Sequence, residues 1–333
     1  MSSDRHDLKY LNKLFPTLKY NDLIKYKDDP NQIIMGEGFL KRGAGSILVG
    51  GTGIGKSIVA CQAAVSCATG TSFFGMKVPK PVRVLLVQAE NDSGIMKRDF
   101  TSIVEKSEAS KKLVQKNLFI KAVPGLPPDR FIEWLEDQIA TIEPDLLIID
   151  PYQSFVGGVD LNKTETWLEW IYPIEMMMRE RGIALLLVAH TTKPRERKGW
   201  TIYEMAYAML GSSAAPNWAR SASLLLARDD GKFELLISKG AEWTGLEQNG
   251  HVVRRLFLRH SGDRKKPYWH LCSDQKPPLK VDMKKVVEDA ARKFPELSQT
   301  RLAHEVLRIS SATVSAHYPE DLKKIKKKKR KKK

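Results

Sequence analysis

The stretch Ser46-Ile47-Leu48-Val49-Gly50-Gly51-Thr52-Gly53-Ile54-Gly55-Lys56-Ser57-Ile58-Val59-Ala60 decides how this chain is read. Its middle, Gly50 to Ser57, fits the phosphate-binding pattern G-x-x-x-x-G-K-[ST] without a gap. Ser46 to Val49 reads as a short buried strand, and Ile58 to Val65 as a helix. Strand, glycine-rich turn and helix N-terminus together make an anion cradle. Backbone N–H groups point inward there, and the glycines let the chain come close to a phosphate. The pattern sets Gly51, Thr52, Gly53, Ile54, Gly55, Lys56, Ser57 and Ile58 around a nucleoside triphosphate, with ATP as the expected ligand. Lys56 is expected at the β- and γ-phosphates, and the Ser57 hydroxyl on Mg²⁺. The competing reading is a chance glycine-rich turn, and the flanking strand and helix argue against it.

Working outward, 333 residues hold one large α/β domain plus a smaller one. No apolar run is long enough to span a bilayer, so no membrane association is expected. Met1 to Asp7 has no apolar core of the kind a signal peptide needs. Cys61, Cys67 and Cys272 lack metal-ligand spacing and suit a reducing cytoplasm, where the protein is expected to reside. The net charge is +16, but residues 323–333 are basic at every position except Ile325. Those ten charges set aside, +6 remains. The basic tail, residues 321–333, is either a nucleic-acid-binding arm held by phosphate contacts or a solvated extension.

Residues 1–43 read as a polar lead-in, and residues 44–275 as the ATPase core. Within the core, Val82–Val87, Leu118–Val123, Leu146–Asp150 and Ile183–Val188 are apolar strand candidates. Residues 93–115, Asp129–Ile142 and Thr166–Arg181 are the helices between them. Ser221–Ala227, Phe233–Ser238 and Val252–Leu258 are expected as later, partly antiparallel strands. Buried strands alternating with helices predict a mainly parallel sheet with right-handed crossovers and ligands at the strands' carboxyl ends. Glu90, Asp150 and His190 all fall at such ends. Residues 281–320 change character and read as three short helices, over Val281–Lys293, Gln299–Arg308 and Ser311–Tyr318. They form either a helix-turn-helix or winged-helix-like module that binds DNA, or a small packing domain.

Asp150 closes a wholly apolar strand, as the carboxylate that holds Mg²⁺ must. The next residue is Pro151, which cannot serve as a base. ATP hydrolysis still needs a group to orient or deprotonate the attacking water. Glu90 is the favoured candidate, with Asp92 its near competitor.

The order of these features resembles the RecA-like ATPases, in the RepA/DnaB branch of hexameric replicative helicases. It runs from the P-loop to Gln88-Ala89-Glu90-Asn91-Asp92, then to an Asp150 without a following Glu. Next come Val188-Ala189-His190-Thr191-Thr192-Lys193 and Gly211-Ser212-Ser213. The likeness covers roughly residues 35–260, and it implies an α/β, RecA-like, mainly parallel sheet flanked by helices. It also implies a homo-oligomeric ring, most simply a hexamer, with ATP between subunits. It makes His190 a γ-phosphate sensor and Arg220 an arginine finger reaching the neighbouring subunit's ATP. Lys239 becomes a second trans-acting cation. Residues 191–210 match a channel loop for single-stranded DNA, where Lys193, Arg195, Arg197 and Lys198 lie near Trp200 and Tyr203. Residues 1–43 are too short for the N-terminal helical domain of the DnaB type.

The expected function is therefore an ATP-driven ring motor on single-stranded DNA, of the plasmid or phage helicase kind. The alternative is a DNA-binding regulatory or recombination ATPase that does not unwind. A small-molecule P-loop kinase is a third reading, which leaves the 191–210 segment unexplained.

Overall fold

Apolar runs bounded by turn residues form the strands of a single large sheet. The computed structural model describes residues 8–157, 163–191, 214–228, 231–263, 265–273, 283–307 and 311–322. By its internal contacts the chain separates into two units, divided after Cys272.

In the first unit, helices α1 (Leu8–Leu14) and α2 (Tyr20–Ile24) precede a small antiparallel pair, β1 (Ile33–Met35) and β2 (Leu40–Lys41). There follow β3 (Gly45–Gly50), α3 (Lys56–Thr69), β4 (Val84–Gln88), α4 (Ser93–Lys106), α5 (Lys111–Asn117), β5 (Leu118–Ala122), α6 (Pro128–Ile142), β6 (Leu146–Asp150), α7 (Thr164–Arg181) and β7 (Ala184–His190). The unit continues through α8 (Ala214–Trp218), β8 (Ser221–Ala227) and β9 (Phe233–Lys239). It ends with a short pair, β10 (Glu247–Gln248) and β11 (His251–Val252), then β12 (Arg255–His260) and β13 (Trp269–Cys272).

The sheet order is β13-β12-β9-β8-β3-β7-β6-β4-β5. The six strands from β8 to β5 are parallel, and β9, β12 and β13 extend them antiparallel. The expected mainly parallel, helix-flanked α/β sheet is present. Side chains alternate across it. Leu48, Leu86, Ile148 and Leu186 pack under α3 and α4, while Val49, Val87, Ile149 and Leu187 pack under α6 and α7. Both faces are covered, which is why these strands read as unbroken apolar runs.

Beyond shifts of one or two residues at element ends, three elements differ from the sequence reading. The helix expected over 93–115 is two helices. Glu108 adopts φ +53°, and the Ser110 hydroxyl accepts from Leu113 N to start α5. The strand expected over Val252–Leu258 begins at Arg255, after the β10–β11 pair. The helix expected over Gln299–Arg308 is α10 (Gln299–Arg301), continued by a π-helical stretch, Leu302–Leu307.

The second unit, taken by itself, contains α9 (Met283–Lys293), α10 with its π continuation, and α11 (Ser311–His317). They enclose a small core of Val287, Ala291, Leu302, Ala303, Val314 and Tyr318. Among the described residues, no helix is long and apolar enough to cross a membrane.

Candidate nucleotide site

The sheet register assembles the site. Gly50, where β3 gives way to the glycine-rich loop, lies beside His190 of β7. Asp150, the last residue of β6, lies beside Gln88, the last of β4. Strand β7 separates β3 from β6, so the loop and Asp150 face each other across one strand.

In the loop, Gly53 and Gly55 adopt φ +75° and +91°, conformations that side-chain-bearing residues rarely take. A Cβ on Gly53 would meet open space, and one on Gly51 only Ile54 at 3.7 Å, so both leave the backbone open to a ligand. Gly55 is the N-cap of α3, whose first residue is Lys56.

The Lys56 ammonium donates to Gly51 O at 2.7 Å and lies 3.3 Å from His190 Nδ1. An ammonium can only donate, so Nδ1 accepts and the imidazole proton sits on Nε2. From there it faces Glu90 Oε1 at 3.3 Å. Lys56, His190 and Glu90 thus form one continuous chain of polar contacts. Burial lowers the Lys56 pKa, and the charges of Asp150 and Glu90 oppose that shift.

Asp150 is 2 % exposed. Burial pushes its carboxyl up to about 6, against hydrogen bonds from Ser57 and Gln88 and the charge of Lys56; Glu90 adds to the rise. A buried carboxylate beside a serine hydroxyl is an oxygen pair suited to a hard divalent cation. Among the described residues, no three or more His, Cys, Asp or Glu side chains cluster, so phosphate and water would supply the remaining ligands. Mg²⁺ with ATP fits these residues.

Glu90 contrasts with Asp150, for its side chain is 53 % exposed. It can meet a water molecule, which the buried aspartate cannot. Asp92 is occupied elsewhere: its Oδ1 accepts from Ile95 N at 2.8 Å and caps α4.

Two residues of the site escaped the sequence reading. Gln88 is 1 % exposed. Its Nε2 donates to Asp150 Oδ2 at 3.1 Å, while its Oε1 accepts from Glu90 N at 2.6 Å and Asn91 N at 2.9 Å. One amide ties the buried carboxylate to the segment carrying Glu90. The second is Trp269, at the start of β13. Its indole donates to Gly55 O at 3.2 Å, and a Cβ on Gly55 would come within 2.8 Å of its ring. Gln62 of α3 fixes the same residue, accepting from Trp269 N at 2.7 Å and donating to Trp269 O at 3.2 Å. The glutamine at a strand end was visible in the sequence, but its partner across the sheet was not. Trp269 carried no signal at all, being 214 residues from Gly55.

Arg220 and Lys239 lie toward the opposite, amino-terminal ends of strands β3 and β8. Arg220 N donates to Gly45 O, at the start of β3, and Lys239 pairs with Ala222 at the start of β8. Gly45 and Gly50 are the two ends of β3, five residue steps or about 16 Å apart. Neither cation reaches the loop of its own chain. The Lys239 ammonium donates to Pro216 O and Asn217 O at 3.0 and 3.1 Å, and burial lowers its pKa. Lys193, Arg195, Arg197, Lys198, Trp200, Tyr203, Gly211-Ser212-Ser213 and the tail from Lys323 lie outside the described residues.

No curated protein matches the sequence. Among solved structures, a KaiC-like protein from the hyperthermophilic archaeon Pyrococcus horikoshii OT3 is similar at 17% identity, with a TM-score of 0.46. The likeness covers 72% of this chain and 94% of that one. The family model described as an AAA domain matches residues 13–196, more than half of the chain, including the whole glycine-rich loop, Glu90, Asp150 and His190. The chain belongs to the AAA domain family and is a P-loop ATPase.

Proposed function

We propose that this ATPase is a ring-forming motor of the RepA/DnaB branch that works on single-stranded DNA, as a replicative helicase of plasmid or phage type. One observation carries the reading. His190 contacts both Lys56 and Glu90, and it is the last residue of β7. The chain leaving β7 leads directly into the segment with Lys193, Arg195, Arg197 and Lys198. A group that registers the γ-phosphate is thus joined covalently, within three residues, to the cations that would meet a nucleic-acid backbone.

The geometry supports the following roles. Backbone N–H groups of the loop and Lys56 bind the phosphates. Ser57 and Asp150 would hold Mg²⁺, which neutralises phosphate charge when bound. Glu90 takes a proton from the attacking water, and Gln88 keeps the Glu90 segment in place. Turning His190 away from Lys56 as a phosphate draws the ammonium would change its bond to Glu90, at the end of the strand whose sequence runs on into Lys193. Arg220 and Lys239, too far from their own loop, serve the site of the next subunit, where cations stabilise charge developing on the γ-phosphate. A head-to-tail contact of this kind repeats into a closed ring, and the resemblance to the RepA/DnaB branch makes that ring a hexamer. Residues 281–320 and the basic tail would add contacts to DNA.

The test is the ATP hydrolysis rate with and without single-stranded DNA, with the mass of the particle in solution measured alongside. Stimulation by single-stranded DNA, a ring-sized particle and ATP-dependent strand displacement are expected. A monomer unresponsive to DNA refutes the proposal. A footprint on one duplex sequence that survives Lys56→Ala, without strand displacement, replaces it with a DNA-binding regulatory ATPase.

A further inference from the structure

Arg220 is held in an unusual manner. Its guanidinium carbon lies 3.7 Å from the centroid of the Trp243 ring, and its Nε donates to Gly38 O at 3.3 Å. Trp243 ends a single helical turn, Ala241–Trp243, that follows β9. The Trp243 carbonyl accepts from Glu37 N at 2.7 Å and Phe39 N at 3.1 Å. The indole platform and the carbonyl beneath Nε therefore belong to one joint between residues 36–39 and 241–243. A Cβ on Gly36 would strike Trp243 O at 2.5 Å, so the joint depends on a glycine there.

The consequence is directional. One face of the guanidinium is covered by the ring and Nε is engaged, which leaves the two terminal nitrogens as its remaining donors. Arg220 lines a cavity of about 310 Å³ at the amino-terminal end of β3, opposite the glycine-rich loop, with Lys41, Arg42, Glu175, Arg179 and Trp218. Arg42 is paired with Asp145, and Arg179 with Glu175. Arg220 instead rests on an aromatic face, which orients a cation without neutralising it.

We infer that Trp243 is the positioning residue for Arg220, holding its terminal nitrogens toward a triphosphate bound by a second copy of this chain. This rests on the reading of Arg220 as a cation acting between subunits. A free arginine side chain loses much conformational freedom when it docks. A stacked one has lost it already, so the contact with the neighbour forms at less entropic cost.

The experiment uses the full-length protein. Trp243→Leu, which keeps apolar bulk but no ring face, is expected to lower kcat roughly tenfold with KM for ATP within about twofold. Trp243→Phe is expected to restore most of that loss. In an Arg220→Ala background, Trp243→Leu is expected to add nothing, because both changes act through one guanidinium. Co-expressed Arg220→Ala and Lys56→Ala subunits are expected to regain hydrolysis, since mixed contacts pair an intact loop with an intact arginine. Co-expressed Trp243→Leu and Lys56→Ala subunits should do the same. If the Arg220→Ala mixture regains activity but Trp243→Leu has no effect, or an equal effect with and without Arg220, the role of Trp243 is overturned and the inter-subunit reading stands. If the Arg220→Ala mixture stays inactive, the inter-subunit reading falls, and this inference with it.

Discussion

Replacing Asp150 with asparagine should make the nucleotide-free protein more stable at pH 7.5, not less. The carboxyl is 2 % exposed, and burial raises it from the ordinary 3.8 to about 6. Between those values the folded protein holds a proton that the unfolded chain has released. Stability therefore falls as pH rises through that window and levels off above it. At pH 7.5 the ionised carboxylate costs the folded state about 3 kcal/mol. Asparagine removes that cost. It keeps one acceptor oxygen where Asp150 uses its carboxylate to accept from Gln88 and Ser57, so one hydrogen bond is lost, about 1 kcal/mol. The net gain is about 2 kcal/mol at pH 7.5, equivalent to about 4 °C in a unit of this size. At pH 5, wild-type Asp150 is mostly protonated, and the gain shrinks to roughly half a kilocalorie. Scanning calorimetry of both proteins in chelator, from pH 5 to 8, measures this directly. A variant that melts below wild type at pH 7.5, or a gap that does not change with pH, refutes the reasoning. Adding Mg²⁺ and nucleotide at 100 times the dissociation constant should reverse the order, because wild type then gains about 2.7 kcal/mol that the variant does not.

Three further outcomes follow from the same geometry. Glu90→Gln should lower kcat by about 10²- to 10⁴-fold with ATP affinity nearly unchanged, whereas Asp92→Ala should cost about 1 kcal/mol of stability as a lost helix cap and leave kcat alone. Steady-state kinetics with thermal melts separates the two. Gly55→Ala should destabilise by about 2 kcal/mol or more, since it combines φ +91° with a 2.8 Å approach to Trp269; Gly53→Ala, at φ +75° with nothing nearby, should cost about 1 kcal/mol. Denaturant melts of the pair would show equal losses if Trp269 does not close over the loop. Gln88→Leu should cost about 3 kcal/mol by stranding Asp150 and the N–H groups of Glu90 and Asn91, with an accompanying fall in kcat, read by calorimetry and kinetics.

Much of this was legible because the parallel strands carry local, redundant signals. Val84–Gln88, Leu146–Asp150 and Ala184–His190 are buried on both faces, so each is a continuous apolar run ending in a polar residue. The loop is legible because its glycines answer to backbone conformation rather than to distant neighbours. What depends on register was not. Whether Gln88 faces Asp150 is fixed by the pairing of β4 with β6 over 62 positions of sequence. Trp269 reaches Gly55 only because β12 and β13 extend the sheet antiparallel, where alternation in Trp269-His270-Leu271-Cys272 is weak and short. The break between α4 and α5 was missed because it rests on one left-handed residue, Glu108, a type with no special preference for that conformation.

The strand that closes over the loop is also the last one before the chain leaves the first unit. Trp269 sits three residues ahead of Cys272, and residues 273–333 form the second unit. The covalent connection to residues 273–333 leaves the first unit along β13, which carries a residue hydrogen-bonded to the N-cap of the nucleotide-binding helix. The covalent attachment of the C-terminal unit and the latch on the loop are therefore one strand, and cutting or displacing that strand would release both.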